Sequence, residues 1–554
     1  MLVKLSGGTV YDPKHGIDGE VRDLYFRDGR MIAPPAESPD REYDVRGKVV
    51  MAGGIDIHTH IGGGKVNLSR TLLPEDHRDH PELSEEGRRS GSGHVTPSTF
   101  LTGYRYSEMG YTTCFEPALL PSNARHAHME LGDTPMVDKG GYALLGNDDF
   151  LLGMLANGED QARINDYVAW TLNAARCVAI KVVNPGGINA FKFNGRKLDV
   201  DEQGPHYGVT PRNILARLTR ALHDLGVPHP LHVHSSNLGV PGNVASTLDT
   251  IRAAEGLPIH LTHVQFHSYG TEGSRGFSSA AAEIAEAVND NPNVSVDVGQ
   301  IMFGQTVTAS GDFMRQHAQH SHAHPNKWVG MDIECDAGCG VVPFQYRDEN
   351  FVNALQWAIG LEIFLQVADP WRVFLTTDHP NGGPFTSYPH LIKLLMDRSF
   401  RNDNLEQLHS DVADHSNLKA MTREYSLYEV AILTRAGPAQ ILGLSDRGHL
   451  GEGAAADIAV YDHKSDPEEM FARPSLVFKD GEPVIEDGRL VQVRWGGTHA
   501  VEPEYDAGIE NRLSDYFERY HTVRLENFKI GADELAGPQR PGILPVATAR
   551  GRQE

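Results

Sequence analysis

The sequence has few cysteines, no long hydrophobic run and a shortage of basic residues. Four cysteines in 554 residues cannot form a disulfide framework, so we expect a reducing, cytoplasmic setting. The most apolar stretch, residues 354–367, is interrupted by Gln356, Glu362 and Gln366, which excludes a membrane span there. The 50 Lys and Arg against 74 Asp and Glu give a net charge of −24, which disfavours nucleic acids and anionic membranes as partners.

The chain also lacks the glycine-rich signatures of nucleotide-binding proteins, because no GxGxxG or P-loop sequence opens a helix. Its first residues lack the apolar core of a signal peptide, which agrees with a cytoplasmic protein. Histidine, by contrast, is abundant: the 28 residues direct attention to metal binding without proving it. With 40% apolar and 22% charged residues, the chain is expected to form more than one folded unit.

The pattern of strands, helices and turns divides the sequence into four segments: residues 1–50, 51–436, 437–500 and 501–554. The first segment reads as short strands separated by Gly7-Gly8 and Asp28-Gly29 turns, and the third returns to this pattern. We expect these two segments to form one small β-sandwich domain. The fourth segment is polar and contains prolines, which fits a C-terminal tail or partner-docking arm better than a folded core.

The second segment alternates between helices and apolar strands. Helices are expected at 162–175, 210–225, 244–255, 278–288 and 350–367, and the strands that follow them at 177–183, 230–234, 258–264, 294–301 and 371–377. Such alternation predicts an α/β fold with a parallel sheet, either a barrel or a doubly wound sheet. A TIM-like (β/α)8 barrel is favoured because the candidate catalytic residues lie at the carboxyl ends of strands, where such barrels place their sites.

The strongest local motif is an HxH pair at the end of an apolar run, formed by His58 and His60. Alternation along an extended strand puts both imidazoles on one face, where they can bind the same cation. The competing interpretation is two polar residues that face a loop. The glycine-rich turn that follows, Gly62-Gly63-Gly64, favours the ligand interpretation because it places the pair at a strand end.

Two later strands end in histidine, at His234 and His263, and a fourth strand ends in Asp378. A single buried histidine is usually a hydrogen-bonded core residue, and an Asp before Pro380 commonly caps a turn. Several inward imidazoles without a cation would each need a separate buried partner, which favours a shared metal site. Asp378 can then bind the metal and transfer a proton.

Lys181 lies inside the apolar strand Cys177–Val183, where a charged amine is costly to bury. Burial favours the neutral amine, which can react with CO₂ to form a carbamate whose two oxygens can bridge two metal ions. On the sequence alone, an ion-paired or snorkelling lysine is the preferred interpretation.

Together these motifs resemble the amidohydrolase superfamily. Four longer stretches, residues 180–187, 234–239, 263–270 and 376–382, resemble a family within it, the A subunits of formylmethanofuran dehydrogenase and the alpha subunits of the bacterial formyltransferase/hydrolase complex, with the bacterial form as the better fit. The likeness covers roughly residues 1–500. It implies reversible hydrolysis of N-formylmethanofuran, or an analogue, to formate and the free amine, in a complex with other subunits.

The resemblance also implies the residues of the site. The expected metal ligands for two Zn²⁺ ions are His58, His60, Lys181 as a bridging carbamate, His234, His263 and Asp378. Asp378 is the expected catalytic residue, and Asn237, His267 and His379 are expected to bind substrate. His232 and His260 are candidates for orienting the ligands by hydrogen bonds. Lys192 lies near Lys181 in the sequence and is a competing position for the carbamate.

Two alternatives use the same residues differently. Cyclic-amide hydrolysis of the dihydropyrimidinase type requires the same metal ligands, and a non-catalytic scaffold subunit requires none of them.

Two weaker motifs fall outside the predicted site. The four histidines within residues 315–325 are predicted to lie in a loop over the pocket, and Cys335 and Cys339 lack the second cysteine pair that a zinc or iron–sulfur site requires.

Overall fold

The computed structural model describes residues 1–549, except for 86, 188–197, 311–332, 335–339, 522–523 and 538. The predicted histidine-rich loop at 315–325, the cysteines 335 and 339, and Lys192 lie outside the described residues. Among the described helices, none is both long enough and apolar enough to cross a membrane.

Both ends of the chain contribute to one nine-stranded sheet. Its strands are Leu2–Asp12, Ile17–Arg27, Arg30–Ile32, Arg41–Asp44, Lys48–Ala52, Ile458–Asp462, Leu476–Lys479, Glu482–Glu486 and Arg489–Leu490. Lys48–Ala52 joins the two ends, because it pairs in parallel with Leu2–Asp12 and antiparallel with Ile458–Asp462. The predicted union of the terminal segments is therefore present as a sheet, and its folding into a sandwich stays a prediction.

The two glycine turns expected near the N-terminus differ in the structure. Asp28 and Gly29 form a tight turn with φ values of 50° and 79°, as a two-residue hairpin loop requires. Gly7-Gly8 is not a turn, because Leu2–Asp12 runs through it as one strand whose register shifts between Leu5 and Gly8. Gly7, at φ 72°, accommodates the irregularity as in a β-bulge, and the sequence pattern of a bulge resembles that of a turn.

The second sheet contains eight parallel strands in chain order. They are β1 (Gly54–Asp56), β2 (Tyr111–Leu119), β3 (Asp138–Leu144), β4 (Ala179–Val183), β5 (Leu231–His234), β6 (Ile259–Leu261), β7 (Val294–Asp297) and β8 (Val373–Phe374). A parallel bridge between Thr59 and His379 joins the segments that follow the first and last strands. The curled sheet is consistent with a TIM-like barrel.

Most of the helices follow strands of this sheet in the chain, and Pro467–Phe471 lies between two strands of the nine-stranded sheet. Their bounds are Gly64–Leu72, Pro74–Asp79, Thr99–Glu108, Ala124–Gly132, Asp149–Ala156, Gln161–Ala175, Pro211–Asp224, Val244–Ala253, Ala281–Asp290, Phe351–Gln366, Tyr388–Met396, Arg398–Gln407, Leu427–Ala431, Gly437–Leu442, Pro467–Phe471 and Gly508–Tyr520. The helix predicted from Thr210 begins as expected: the Thr210 hydroxyl accepts a hydrogen bond from the Asn213 amide at 3.2 Å, and Pro211 occupies the first helical position.

Short strands outside the two main sheets shape the loops. They are Pro81–Glu82 with Gly91–Ser92, Tyr269–Gly270 with Ser278–Ser279, Gly304–Ser310 and Ile333–Glu334 with Gly340–Tyr346, and Ala536–Gly537 with Arg540–Pro541. The three-stranded group after β7 places Val307 and Val341 in one apolar cluster with Leu144 and Val183, the last residues of β3 and β4.

The C-terminal segment is folded against the barrel, whereas its composition favoured a tail. Thr498–Ala500 pairs in parallel with β3, and Ile543–Pro545 pairs with Thr498–Ala500. Helix Gly508–Tyr520 buries Ile509 and Leu513 in the main apolar core. A polar segment with a few well-spaced apolar residues can dock in this way without a continuous apolar run. Its role in docking a partner stays a prediction.

A buried ionic cluster joins β3 to the terminal sheet. Lys479 is fully buried, and its ammonium lies 3.0 Å from Asp138, 3.1 Å from Asp457 and 3.1 Å from Asp480. The Arg447 guanidinium also contacts Asp138, at 3.0 Å. Because each buried charge is compensated by its neighbours, removing one partner leaves uncompensated charge in a poorly solvated place.

We expect Lys479→Met to destabilise the protein strongly, by about 3–5 kcal/mol, because Arg447 alone cannot compensate the charge of the buried carboxylates. The measurement is the apparent Tm, which should fall by several degrees. The control is Lys464→Met, since Lys464 is part of an exposed pair with Glu469 at 3.7 Å and such pairs contribute little. Equal melting temperatures for the two variants would show that the cluster does not stabilise the joint between the sheets.

Candidate metal centre

The carboxyl ends of the barrel strands bring the predicted ligands to one edge of the sheet. His58 and His60 follow β1, His234 is the last residue of β5, His263 follows β6 and Asp378 follows β8. The strands themselves are shorter than expected, so four of these residues lie just beyond a strand. All five are buried. This edge is where barrel enzymes place their catalytic residues.

The first group consists of His58, His60 and Asp378. One carboxylate oxygen of Asp378 lies 2.9 Å from Nε2 of His58 and 3.3 Å from Nε2 of His60. The two rings are nearly perpendicular, with centroids 5.6 Å apart. Burial, and next the charge of Lys181, lowers the pKa of His58 to about 4, so its imidazole is neutral near pH 7. A neutral imidazole has the lone pair that a metal ligand requires.

The second group consists of His234, His263 and His267. Their ring centroids are 4.6 to 5.4 Å apart, and one nitrogen of each lies within 4.8 Å of the others. Burial holds the pKa of His234 and His263 well below the usual value and that of His267 at about 3. His58 and His263, with centroids 5.5 Å apart, connect this group to the first.

Lys181 lies on β4 with only 2% of its surface exposed. It pairs in register with His232 on β5, so both side chains point to the same side of the sheet. Its positive charge contributes to the lowered pKa values of His58, His234 and His263. The pairing therefore places Lys181 opposite His232, on the strand next to the one that ends in His234.

Two of the predicted ligands have an unusual backbone conformation. His263 has φ 36° and Asp378 has φ 51°, values that residues other than glycine rarely adopt. Hydrogen bonds hold both: the His263 amide donates to Asp297 at 2.6 Å, and the Asp378 amide donates to the Thr376 hydroxyl at 2.9 Å. Such conformations are typical of functional sites, where the surrounding structure fixes them.

Several ring nitrogens of this histidine cluster are unpaired, as expected of atoms that bind a metal ion. Among the described residues of this cluster, four buried nitrogens have no hydrogen-bond partner: Nε2 of His234, Nδ1 of His263 and both ring nitrogens of His267. Nε2 of His60 has only the 3.3 Å contact with Asp378. Buried polar atoms of this kind are costly unless something binds them. A set of imidazoles with a carboxylate is the donor set that Zn²⁺ prefers.

Sequence reasoning missed two acids that hold the ligands in place. Glu116 on β2 accepts hydrogen bonds from Nδ1 of His60 at 2.8 Å and from the amide of Ile61 at 2.7 Å. Burial raises the pKa of Glu116. The contacts with His60 and with the backbone amides lower this pKa by more than burial raises it, so the carboxyl is ionised. Asp297 ends β7 and lies 3.0 Å from Nε2 of His260. Each is an acid inside or at the end of an apolar strand, the same signal that identified Asp378.

The three residues expected to bind substrate have different surroundings. The side-chain amide of Asn237 donates to the Asp199 carboxylate at 2.7 Å. Nδ1 of His379 accepts a hydrogen bond from the backbone amide of Phe385 at 3.2 Å. His267 lies with His234 and His263, among the candidate metal ligands rather than apart from them. Their substrate contacts stay predictions. His232, a candidate for orienting a ligand, does contact His58, at 2.8 Å.

Comparison with known proteins shows the family. Residues 41–485 match the model of an amidohydrolase family. The chain is 46% identical to the FhcA component of the formyltransferase/hydrolase complex of Methylorubrum extorquens, covering 99% of this chain and 100% of the relative. It is 41% identical to the protein FwdA of Methanocaldococcus jannaschii, covering 97% of this chain and 98% of the relative.

A solved structure agrees over the same length. The crystal structure of the FhcABCD complex of Methylorubrum extorquens with methylofuran contains a chain that matches with a TM-score of 0.91 and 44% identity, covering 99% of this chain and 100% of that one. A D-aminoacylase structure matches with a TM-score of 0.51 and 16% identity over 88% of this chain, which supports the fold alone. The chain belongs to the amidohydrolase family.

Proposed function

We propose that the chain hydrolyses N-formylmethanofuran, or a methanofuran analogue, to formate and the free amine. It works in the cytoplasm as one subunit of a formyltransferase/hydrolase complex, and the reaction is reversible in principle. The observation that carries the proposal is the buried cluster of imidazoles and Asp378 in a chain that is 46% identical, over 99% of its length, to the FhcA component of such a complex. A scaffold subunit would have no use for this cluster.

Two Zn²⁺ ions are proposed to bind His58, His60, His234, His263 and Asp378, with Lys181 as a bridging carbamate. The support is the set of unpaired imidazole nitrogens and the burial of Lys181 among the histidines. When bound, zinc supplies Lewis acidity toward a carbonyl oxygen and makes water nucleophilic near neutral pH. Glu116 then fixes His60, because a carboxylate on Nδ1 leaves Nε2 free as a ligand.

Asp378 is the proposed proton carrier. Burial alone raises the pKa of Asp378, but His58 and His263 hold it well below the usual range, so the carboxylate is ionised and can accept a proton. The water oxygen adds to the formyl carbon and loses a proton to Asp378. The carbon–nitrogen bond then breaks, and the same proton passes to the departing amine. Water and the N-formyl amine thus become the free amine and formic acid, which releases its remaining proton to solvent or to the amine and leaves as formate.

The direct test compares substrates. The purified full chain, alone and with its partner subunits, should release formate from N-formylmethanofuran and from simpler N-formyl amines, and should leave hydantoin unchanged. Ring opening of hydantoin without formate release would support cyclic-amide hydrolysis instead. Failure on both substrates in a chain that contains no metal would support a scaffold role.

We expect Asp378→Asn to reduce formate release by about 10²–10⁴-fold, because the amide cannot accept the proton. Asp403→Asn, at an exposed position on the helix Arg398–Gln407, is the control and should match the wild type. Both variants should keep the wild-type circular dichroism spectrum. Unchanged turnover in Asp378→Asn would remove Asp378 from the chemistry.

We expect Lys181→Met to lower the zinc content, measured by inductively coupled plasma mass spectrometry, from about two ions per chain to one or fewer. The matched control is Lys139→Met, because Lys139 is equally buried but donates to the carbonyls of Thr134 and Gly496. Both variants lose a buried amine, and only the first should lose zinc. Wild-type zinc content in Lys181→Met would exclude the bridging carbamate.

A further inference from the structure

A small apolar cluster lies at the carboxyl end of the barrel and is grouped apart from the main core. This mouth cluster includes Leu72, Val95, Leu144, Val183, Val307 and Val341. Its members come from the segments that follow β1 and β7 and from the last residues of β3 and β4. The chemistry proposed above uses none of these side chains.

The strand register places two members of the mouth cluster beside the candidate metal centre. Val183 pairs with His234, and Leu144 pairs with Lys181. Paired residues in neighbouring parallel strands point their side chains to the same side of the sheet. Because His234 and Lys181 belong to the metal centre inside the barrel, Val183 and Leu144 point into the barrel next to them.

Two strands that follow β7 supply the other side of the mouth cluster. Gly304–Ser310 pairs in antiparallel fashion with Gly340–Tyr346, and Val307 lies opposite Pro343 in this pair. Alternation along a strand puts Val341 on the same face as Pro343, so Val307 and Val341 are neighbours on one face. This face contacts the apolar ends of β3 and β4.

Two hydrogen bonds tie this pair of strands to the loop that carries Asp378. The Thr306 hydroxyl donates to the carbonyl of Pro380. Just before the first strand, the Met302 amide donates to the carbonyl of Gly382 at 2.8 Å. Both acceptors follow Asp378 closely in the chain. The apolar face therefore has a fixed position relative to the carboxylate that is proposed to carry the proton.

Polar and apolar residues occupy different parts of the barrel's carboxyl end. β5 ends in His234 and β8 is followed by Asp378, whereas β3 and β4 end in Leu144 and Val183. Leu144 and Val183 keep 9% and 5% of their surface exposed, so the mouth cluster borders open space. Pockets that bind small molecules typically combine an apolar wall with a few polar groups at one end.

We propose that the mouth cluster binds a flat apolar ring carried by the amine of the substrate, and so makes the enzyme select N-formyl amines with such a ring. This inference rests on the proposed function, which puts the formyl group at the metal centre. Val183 and Leu144 lie one strand spacing, about 4.8 Å, from His234 and Lys181. A ring joined to the formylated nitrogen through one carbon spans a gap of this size.

The chemistry of the mouth cluster determines what can bind there. Leucine and valine side chains offer neither hydrogen bonds nor charge, so an ammonium or carboxylate group among them would lose its hydration without gaining a partner. An apolar ring gains free energy in proportion to the area that it buries, which for a small ring corresponds to about a 10- to 100-fold increase in kcat/KM. The furan ring of a methanofuran-type carrier is flat and of this size.

The test compares three substrates on the full chain with its partner subunits. They are N-formylfurfurylamine, N-methylformamide, which has no ring, and N-(2-naphthylmethyl)formamide, whose ring is larger. Val341→Ala removes two methyl groups from the subsite, so the furfuryl-to-methyl ratio of kcat/KM should fall about 10-fold. The same change makes room for a larger ring, so the naphthyl-to-furfuryl ratio should rise. Both ratios are independent of the fraction of enzyme that is folded.

The matched control is Val477→Ala. Val477 is as buried as Val341 but belongs to another apolar cluster, with Leu101 and Ile485. This variant should lose stability like Val341→Ala and keep both wild-type ratios. Wild-type ratios in Val341→Ala would overturn the inference, and so would ratios that change equally in the two variants.

A binding measurement separates the inference from the proposed function. Furfurylamine, the product amine, should bind the metal-depleted chain more weakly in Val341→Ala than in Val477→Ala, as measured by isothermal titration calorimetry. Equal affinities would count against the ring subsite. A wild-type complex that releases no formate from any of the three substrates would refute the proposed function. Formate release with equal kcat/KM for the furfuryl and methyl substrates would refute the ring subsite alone.

Discussion

Closure of the barrel and assembly of the site depend on the same hydrogen bonds. The His60 amide donates to the carbonyl of His379 at 2.9 Å, and the Thr376 hydroxyl donates to the carbonyl of His58 at 2.7 Å. These bonds join the segment after the last strand to the segment after the first. They also hold Asp378 against both histidines. A chain that closes its barrel in this way therefore also brings the carboxylate to the imidazoles.

The hydrogen bonds between these two segments bring a carboxylate and several imidazoles together in the buried interior. The surrounding residues must therefore provide partners for these polar groups. Ionised Asp378 and several neutral imidazoles share a buried space, and burial of polar atoms is tolerated only when each has a partner. Glu116 and Asp297 satisfy the outer nitrogens of His60 and His260. Nε2 of His234, Nδ1 of His263 and both nitrogens of His267 have no such partner among the described residues, which is the arrangement expected of atoms that bind a cation.

The sequence predicted the parts of this arrangement that have a repeating signal. Strand–helix alternation predicted the parallel sheet, and the strand ends predicted His58, His234 and Asp378 as neighbours because parallel strands end at one edge. The sequence could not predict which residue forms a hydrogen bond with each imidazole ring. Glu116 is one acid in an apolar strand, and only the three-dimensional pairing shows that it contacts His60.

The other differences between the predicted and the observed fold also arise from contacts between distant segments of the chain. A bulge at Gly7 and a turn at Gly7 use the same residue types, and only the cross-strand register separates them. Residues 501–554 were expected to be a tail because local composition does not show that Ile543–Pro545 pairs with Thr498–Ala500. Patterns with a short period along the chain were predictable, whereas contacts between distant segments were not.

A row of three buried histidines, His58, His232 and His229, carries the same dependence on hydrogen bonds into the barrel's interior. TIM barrels usually fill their interior with branched apolar side chains and separate a catalytic face from a stabilising one. Here His232 and His229 replace apolar packing with hydrogen bonds that work only if all rings carry their hydrogens on the same side. A substitution at His229 therefore reaches His58 through His232, because the three rings are joined in a row.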